Sequence, residues 1–176
     1  MELTMKMAQR LMRENEGNLN LSHSDYDKLP DNLTVEGWMD LSNTPIKNLP
    51  NGLNVEGAWL RLSHTPIESL PDDLRVRGTL YLDHTKDLSS LPDNFTVDGG
   101  LVLCYSDLRN LPDNLTVGGS LNIGYTQIIE LPDSLEVGKD VLIGSEVYEV
   151  HKGMLSDGEA KEVPPQFSEE EYDIDL

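Results

Sequence analysis

The sequence has few basic residues, few aromatic residues and a single cysteine. Only 13 of its 176 residues are Lys or Arg, against 32 Asp and Glu, so the net charge is −19. Such a surface repels nucleic acids and anionic membranes and favours basic partners, because DNA binding requires Lys and Arg to displace counterions. We therefore expect neither direct nucleic-acid binding nor membrane binding.

Disulfides and long apolar runs are also missing. Cys104 is the only cysteine, so it cannot form a disulfide within the chain. The first fifteen residues, MELTMKMAQRLMREN, contain no apolar run long enough for a signal peptide or a membrane span. Both features are typical of cytoplasmic proteins, and we expect a cytoplasmic location.

A short phrase recurs along the chain. LPDNLTV occupies residues 29–35 and 111–117, and LPDNFTV occupies residues 91–97. Leu-Pro begins at positions 29, 49, 70, 91, 111 and 131, so successive copies are 20 or 21 residues apart. Periods of about 20–29 residues are typical of solenoids built from short strand-and-turn units. The shared template is L-P-D-x-L-x-V-x-G-x-L-x-L-x-x-T-x-I-x-x.

Each part of the template predicts a local structure. The alternating apolar pair predicts a strand with one buried face. Leu-Pro-Asp predicts a turn. The glycine that follows predicts a tight bend that a Cβ would obstruct. The Thr predicts a hydrogen bond from its side chain to the backbone beyond the strand. The seven apolar pairs are Leu19/Leu21, Met39/Leu41, Leu60/Leu62, Leu80/Leu82, Leu101/Leu103, Leu121/Ile123 and Val141/Ile143.

This template resembles that of the leucine-rich repeat family in its short bacterial form. That form shares the Leu-Pro start and the L-x-L strand, and carries Asn where this chain has Thr. Strings such as LPDNLTVGG are similar to those of repeat proteins encoded by bacteria and their phages. The resemblance covers about residues 17–144. It implies a leucine-rich-repeat-like solenoid of short parallel β-strands and turns in a bacterial or phage-infected cell, but no particular activity.

The predicted organisation has three parts. Residues 1–16 form an N-terminal capping helix, with Leu3, Met7 and Leu11 at helical spacing on one face; a membrane-surface helix is the alternative. Residues 17–144 form a seven-rung solenoid whose rungs bury their apolar faces against one another. Residues 145–176 form a C-terminal cap and an acidic, partly disordered tail. Self-association through the solenoid ends or the sheet face stays open.

Stacked rungs turn each strand position into a column of side chains about 4.8 Å apart. Trp, Tyr and Arg are the residues most often found as binding hot spots, and they fall in three adjacent outward columns. We expect these columns to bind a protein partner, and their residues are Trp38, Trp59, Arg61, Tyr81, His64, His84, Tyr105 and Tyr125. The alternative is that a Trp turns inward or that the register is shifted by one residue, which would invert every column.

A further column is acidic. The residue after Pro is an aspartate in four consecutive rungs, namely Asp72, Asp93, Asp113 and Asp133. Turn chemistry alone explains an aspartate at this position. The alternative is a row of carboxylates that imitates a phosphate backbone.

Motifs for catalysis and cofactor binding are missing from the sequence. It contains no Ser/His/Asp or Cys/His arrangement and no phosphate-cradling loop. His64 and His84, with Asp83 nearby, suggest a shared metal ion, but a zinc site requires three or four converging ligands. We therefore expect no metal and no cofactor.

Cys104, expected on the outward face, has no obvious base or positive partner and is interpreted as a space-filling residue.

These features favour a non-enzymatic protein–protein interaction module, in particular a phage-like inhibitor that sequesters a partner with a basic surface. The alternative is an acidic nucleic-acid mimic with an anti-defence role against a restriction or CRISPR effector. An enzyme of unknown type is the third hypothesis. Salt separates the first two, because a mimic should lose affinity steeply as ionic strength rises.

Overall fold

The computed structural model describes residues 1–144, 146–151 and 154–155. The elements in chain order are α1 Met5–Glu14, β1 Leu19–Asn20, β2 Thr34–Val35, β3 Met39–Asp40, β4 Asn54–Val55, β5 Trp59–Arg61, β6 Arg75–Val76, β7 Thr79–Tyr81, β8 Thr96–Val97, β9 Leu101–Val102, β10 Thr116–Val117, β11 Leu121–Asn122, β12 Glu136–Val137, β13 Asp140–Ile143, β14 Glu146–His151 and β15 Met154–Leu155.

The described residues form a β-solenoid of parallel strands with one short N-terminal helix, in a leucine-rich-repeat-like arrangement. One strand from each rung enters a long sheet, in the order β1-β3-β5-β7-β9-β11-β13. Equivalent residues of neighbouring rungs are paired: Trp59 lies opposite Thr79, and Leu60 lies opposite Leu80. The fold class and the strand register predicted from the repeat are therefore confirmed.

The core is a stack of equivalent apolar side chains. In the second rung, the side chains of Leu33, Val35, Met39, Leu41 and Ile46 have no exposed surface. The same template positions are buried along the solenoid and form one continuous cluster. A single rung would leave these side chains open to water on both sides, so stacking supplies the hydrophobic stabilisation of the fold.

The L-x-V part of the template forms a second row of short strands, which was not predicted from the sequence. These strands pair as two separate sheets, β2-β4-β6 and β12-β10-β8. At the break between them the N–H of Asp98 lies 3.4 Å from the carbonyl oxygen of Val76, against 2.9 Å for the equivalent bond from Gly118 to Val97. Phe95 stands next to the break, where other rungs have Leu.

The N-terminal helix covers the first rung but is shorter than predicted. α1 begins at Met5, after Thr4, whose Oγ1 accepts a hydrogen bond from the N–H of Met7 at 3.3 Å. Leu3 lies in an extended segment before the helix, where its N–H donates to the carbonyl of Lys28. Leu3 and Ala8 are buried, and Met7, Leu11 and Met12 pack against the core. The apolar face of α1 is thus covered by the solenoid, which argues against a membrane-surface helix.

The other end of the long sheet is covered by an antiparallel extension. β14 pairs with β13, so that Val141 lies opposite Tyr148 and Ile143 lies opposite Glu146, and β15 pairs with β14. This pairing satisfies backbone groups that an open edge would expose. A last strand after Ile143 was predicted; the acidic tail from residue 156 lies outside the described residues. In the described part of the chain, no helix has the length and apolar character needed to cross a membrane.

The glycine column limits the spacing between rungs, and the Thr column holds the turn within each rung. A Cβ added to Gly78 would overlap the carbonyl group of Ala58 in the preceding rung. Glycine is therefore required at this position because the rungs approach each other closely, and not because the chain bends there with a positive φ. In the Thr column, the Oγ1 of Thr65 and of Thr85 donates to the carbonyl three residues earlier at 2.6 Å, as the sequence predicted.

Candidate functional site

Six residues that follow the strands of the long sheet share an unusual backbone conformation. Their φ angles lie between 57° and 59°, in the left-handed region that few residues other than glycine adopt. Hydrogen bonds between rungs hold this conformation, since the N–H of His64 donates to the carbonyl of Asp83 and that of His84 to Cys104. The six residues are His23, Asn43, His64, His84, Tyr105 and Tyr125. Ser145, the last predicted member of this column, lies outside the described residues.

Because the backbone repeats, the rings of this column stack. The ring centroids of His64 and His84 are 4.2 Å apart, those of His84 and Tyr105 4.7 Å, and those of Tyr105 and Tyr125 4.6 Å. The planes of neighbouring rings are tilted by 12° to 21°. We call these four residues the ring column; it is an ordered array that runs across four rungs.

A second aromatic group lies on the same outward face. The rings of Trp38 and Trp59 stack with centroids 4.6 Å apart and planes 14° apart. The Cζ of Arg61 lies 5.0 Å from the ring centre of Trp59 and 4.9 Å from that of Tyr81. We call these four residues the tryptophan cluster. All four are half-buried, whereas the residues next to them along the strands, such as Leu60, are fully buried.

The outward placement of the tryptophans excludes both alternatives raised from the sequence, an inward Trp and a shifted register. It also brings the predicted partner-binding residues into two groups on one face. Ring stacking and the Arg61 contacts restrict the rotation of these side chains. Fixed side chains lose less conformational entropy on binding, which favours affinity.

A groove of about 540 Å³ joins parts of the two groups. Arg61 and Tyr81 of the tryptophan cluster and His64 of the ring column line it, together with Asp40 and Asp83. Its other lining residues are Ser22, His23, Ser42, Asn43, Ser63 and Val102. The groove therefore combines aromatic, cationic and acidic groups within three neighbouring rungs.

The acidic residues of the groove were not among the predicted site residues. Asp40 accepts hydrogen bonds from the N–H and the Oγ of Ser42, and the Oγ of Ser63 donates to Oδ1 of Asp83 at 2.7 Å. One signal for Asp83 is present in the sequence: it stands where the three preceding rungs have Ser22, Ser42 and Ser63. The column does not return to Ser afterwards, since the next rungs have Cys104, Gly124 and Gly144, so Asp83 is its one charged member among these positions.

Asp83 also connects the two histidines of the ring column. Each of the three residues, His64, Asp83 and His84, offers one potential ligand atom. These three atoms lie within 4.8 Å of one another. Nδ1 of His84 lies 3.3 Å from Oδ2 of Asp83. The sequence suggested two histidines with an aspartate nearby but could not show that the three side chains converge.

Cys104 lies beside this group on the half-buried outward side. Burial raises the pKa of the Cys104 thiol, and the negative charge of Asp83 raises it further. The side chain is therefore a neutral thiol at physiological pH, which agrees with the interpretation that it fills space.

The predicted acidic column is exposed. Asp72, Asp93, Asp113 and Asp133 all lie on the surface of the turns. Asp72 lines a second groove, of about 460 Å³, which also contains Arg75 and Arg77. The row of carboxylates is thus accompanied by positive charge in one of its four rungs.

Comparison with known proteins gives no relative. No family model matches the chain, and neither a curated protein nor a solved structure is similar to it at a significant level. The chain's own residues and their arrangement are therefore the basis for its proposed function.

Proposed function

We propose that this protein is a non-enzymatic interaction module that binds and sequesters a protein partner through the tryptophan cluster and the ring column. The observation that supports this proposal is the stacking of both groups on one outward face. Trp, Tyr and Arg are enriched in binding hot spots, and Trp and Tyr offer large contact areas with only two rotatable side-chain bonds each. An ordered aromatic patch on a small, highly charged protein is typical of an interaction site.

The charge of the chain indicates the kind of partner. A net charge of −19 attracts proteins with a basic surface and speeds their encounter. Around the aromatic anchors, Asp40 and Asp83 provide carboxylates in the groove for Lys or Arg side chains. The partner is therefore a protein with an apolar patch bordered by basic residues.

The inhibitor role is proposed from the shape and charge of the protein, a short solenoid with a net charge of −19. A rigid solenoid of this size offers a partner one continuous surface and could cover an essential site on it. In the mimic alternative, the exposed aspartates of the turns would provide the contacts instead. Arg75 and Arg77 interrupt the negative charge in the groove beside Asp72, although Glu56, Asp73 and Asp98 also line it, whereas a phosphate backbone presents negative charge throughout.

The test is to capture partners from a bacterial lysate on the immobilised protein and then to measure the affinity of the purified partner. The double variant Trp59→Ala/Tyr81→Ala should bind at least about tenfold more weakly, since hot-spot residues typically contribute this much or more. The matched control is Thr34→Ala/Thr96→Ala, which changes two exposed strand residues of the short sheets. Circular dichroism checks that all variants remain folded.

Titrations at low and high ionic strength separate the two hypotheses. An interface anchored by aromatic residues should change its affinity little, whereas a mimic should lose it steeply. Unchanged affinity in the Trp59/Tyr81 variant, or a steep salt dependence with loss of binding on removal of Asp93 and Asp113, would overturn the proposal.

A further inference from the structure

We propose that His64, Asp83 and His84 form a binding site for one divalent transition-metal ion of the zinc type. The three side chains come from two adjacent rungs on the outward face of the long sheet, and two of them, His64 and Asp83, line the groove. Two imidazoles and one carboxylate are a ligand set that suits zinc and its neighbours among the transition metals. Mg²⁺ and Ca²⁺ prefer oxygen ligands only, so the two histidines select against them.

The distances allow the site to close with small side-chain movements. The three donor atoms lie within 4.8 Å of one another. Tetrahedral zinc with bonds of about 2.1 Å requires its ligand atoms to be roughly 3.4 Å apart. Oδ2 of Asp83 and Nδ1 of His84 are already 3.3 Å apart, so His64 is the ligand that has to move closer. Closing the site therefore requires the exposed His64 ring to leave its stack on His84, with loss of that ring contact.

A hydrogen bond between rungs holds the backbone of the site. The N–H of His64 donates to the carbonyl oxygen of Asp83 at 3.2 Å, which joins the two rungs at the ligands themselves. His64 and His84 have φ angles of 57° and 58°, so both imidazoles leave the backbone in the same direction. Metal binding therefore does not have to order the backbone. No loss of backbone conformational entropy then reduces the affinity for the ion.

Neighbouring residues orient two of the ligands. The Oγ of Ser63 donates to Oδ1 of Asp83 at 2.7 Å, which leaves Oδ2 directed towards His84. The ring of Tyr105 stacks on that of His84 with centroids 4.7 Å apart and restricts its rotation. Residues around a metal site usually support the ligands in this way, and they contribute to metal affinity.

Three protein ligands leave at least one coordination position open. His64 and Asp83 line the groove of about 540 Å³, so water or another donor group reaches that position from the groove. The net charge of −19 also raises the local concentration of cations. The site does not depend on the proposed protein partner and can be tested on the isolated chain.

The repeat itself provides substitutions that the fold already accepts. Asn43 occupies the position of His64 and His84 in another rung with a φ of 57°, so His64→Asn and His84→Asn keep a residue that tolerates this backbone. Ser63 occupies the position of Asp83, so Asp83→Ser restores the residue of the preceding rung. His23→Asn is the matched control, because His23 has the same backbone conformation but is not one of the three ligands.

The experiment is isothermal titration calorimetry of the full chain with ZnCl₂, and separately with MgCl₂. We expect one zinc ion per chain, at least about tenfold weaker binding in Asp83→Ser and in His64→Asn, and unchanged affinity in His23→Asn. Titration with Co²⁺ should give visible absorption bands that disappear in the same variants. Absence of saturable zinc binding, or binding that survives in both His64→Asn and His84→Asn, would overturn the proposal. Equal binding of Mg²⁺ would contradict the assigned ion class.

Discussion

The N–H of His64 donates a hydrogen bond to the carbonyl oxygen of Asp83, at 3.2 Å. The bond links the rung that carries one histidine to the rung that carries the aspartate and the second histidine. The N–H of His84 makes the equivalent bond to the carbonyl of Cys104 at 3.1 Å. The arrangement of the outward side chains thus follows from backbone pairing between rungs, and a change that disturbs the pairing should disturb the whole face.

The left-handed backbone after each strand leads to a test at Tyr105. Tyr105→Gly and Tyr105→Ala remove the same ring contacts, but Ala retains a Cβ at a φ of 59°. That conformation costs a residue with a Cβ roughly 1–2 kcal/mol. We therefore expect the Gly variant to have the higher free energy of unfolding by about that amount, measured by urea denaturation.

The control for Tyr105 is the same pair of substitutions at Tyr81, which lies within β7 and has no positive φ. There the order should reverse, with Tyr81→Ala more stable than Tyr81→Gly by about 0.5–1 kcal/mol, because glycine loses more chain entropy in a strand. The same order at both positions would show that the left-handed conformation does not determine stability at Tyr105.

The Thr column gives a second prediction. Thr85 is buried and its Oγ1 donates to the carbonyl of Leu82, so Thr85→Ala should lower the free energy of unfolding by about 1–3 kcal/mol. Ser106 has the same place in its rung. Among the described residues, the Oγ of Ser106 is the one buried side-chain nitrogen or oxygen atom without a hydrogen-bond partner. Ser106→Ala should therefore be neutral or stabilising. A similar loss in both variants, measured by urea denaturation, would contradict this prediction.

The glycine column gives a third prediction. A Cβ on Gly78 would overlap the backbone of Ala58, so Gly78→Ala should lower the free energy of unfolding by about 1–3 kcal/mol or more. The control is Gly100→Ala, whose Cβ would lie 3.2 Å from the carbonyl oxygen of Ser120. Trp59 and Thr79 carry a Cβ at the position of Gly100 in other rungs, so this variant should change stability by about 0.5 kcal/mol at most. Thermal unfolding of the two variants side by side measures the difference.

The sequence predicted the solenoid and the outward columns because both depend on periods that are visible in the residues. Leu60 and Leu62 alternate with Trp59 and Arg61, and the 20- or 21-residue repeat places equivalent residues side by side. The assignment of a binding role to these columns stays a prediction. The distances between the stacked rings give this prediction a defined geometry.

Other features depend on contacts that no period encodes. Leu3 has helical spacing with Met7, yet it lies before the helix because its backbone pairs with the segment at Lys28. The second row of strands was missed because a strand of two residues, such as Thr34–Val35, is too short to show alternation. Asp83 was recognised only as a neighbour of the histidines, because convergence of ligand atoms depends on side-chain direction.

Cys104 provides a fourth prediction, on pH dependence. Burial and then the charge of Asp83 raise the pKa of this thiol in the folded protein, and only the thiolate reacts with iodoacetamide. The rate of alkylation should therefore increase with pH through an inflection that lies higher in the native protein than in the same chain unfolded in guanidinium chloride. Rates are measured by mass spectrometry in the presence of a chelator, which keeps metal ions away from Asp83.

The Asp83→Ser variant separates the two causes of the raised pKa. Removal of the carboxylate should shift the native inflection to lower pH, because the thiolate no longer forms beside a negative charge. Burial remains in the variant and is the larger cause, so the inflection should stay above that of the unfolded chain. A native inflection at or below the unfolded one would mean that Cys104 is more accessible to water than its half-buried position indicates. An inflection unchanged by Asp83→Ser would place the aspartate charge too far from the sulfur to matter, and would count against the side-chain arrangement from which the metal site is inferred.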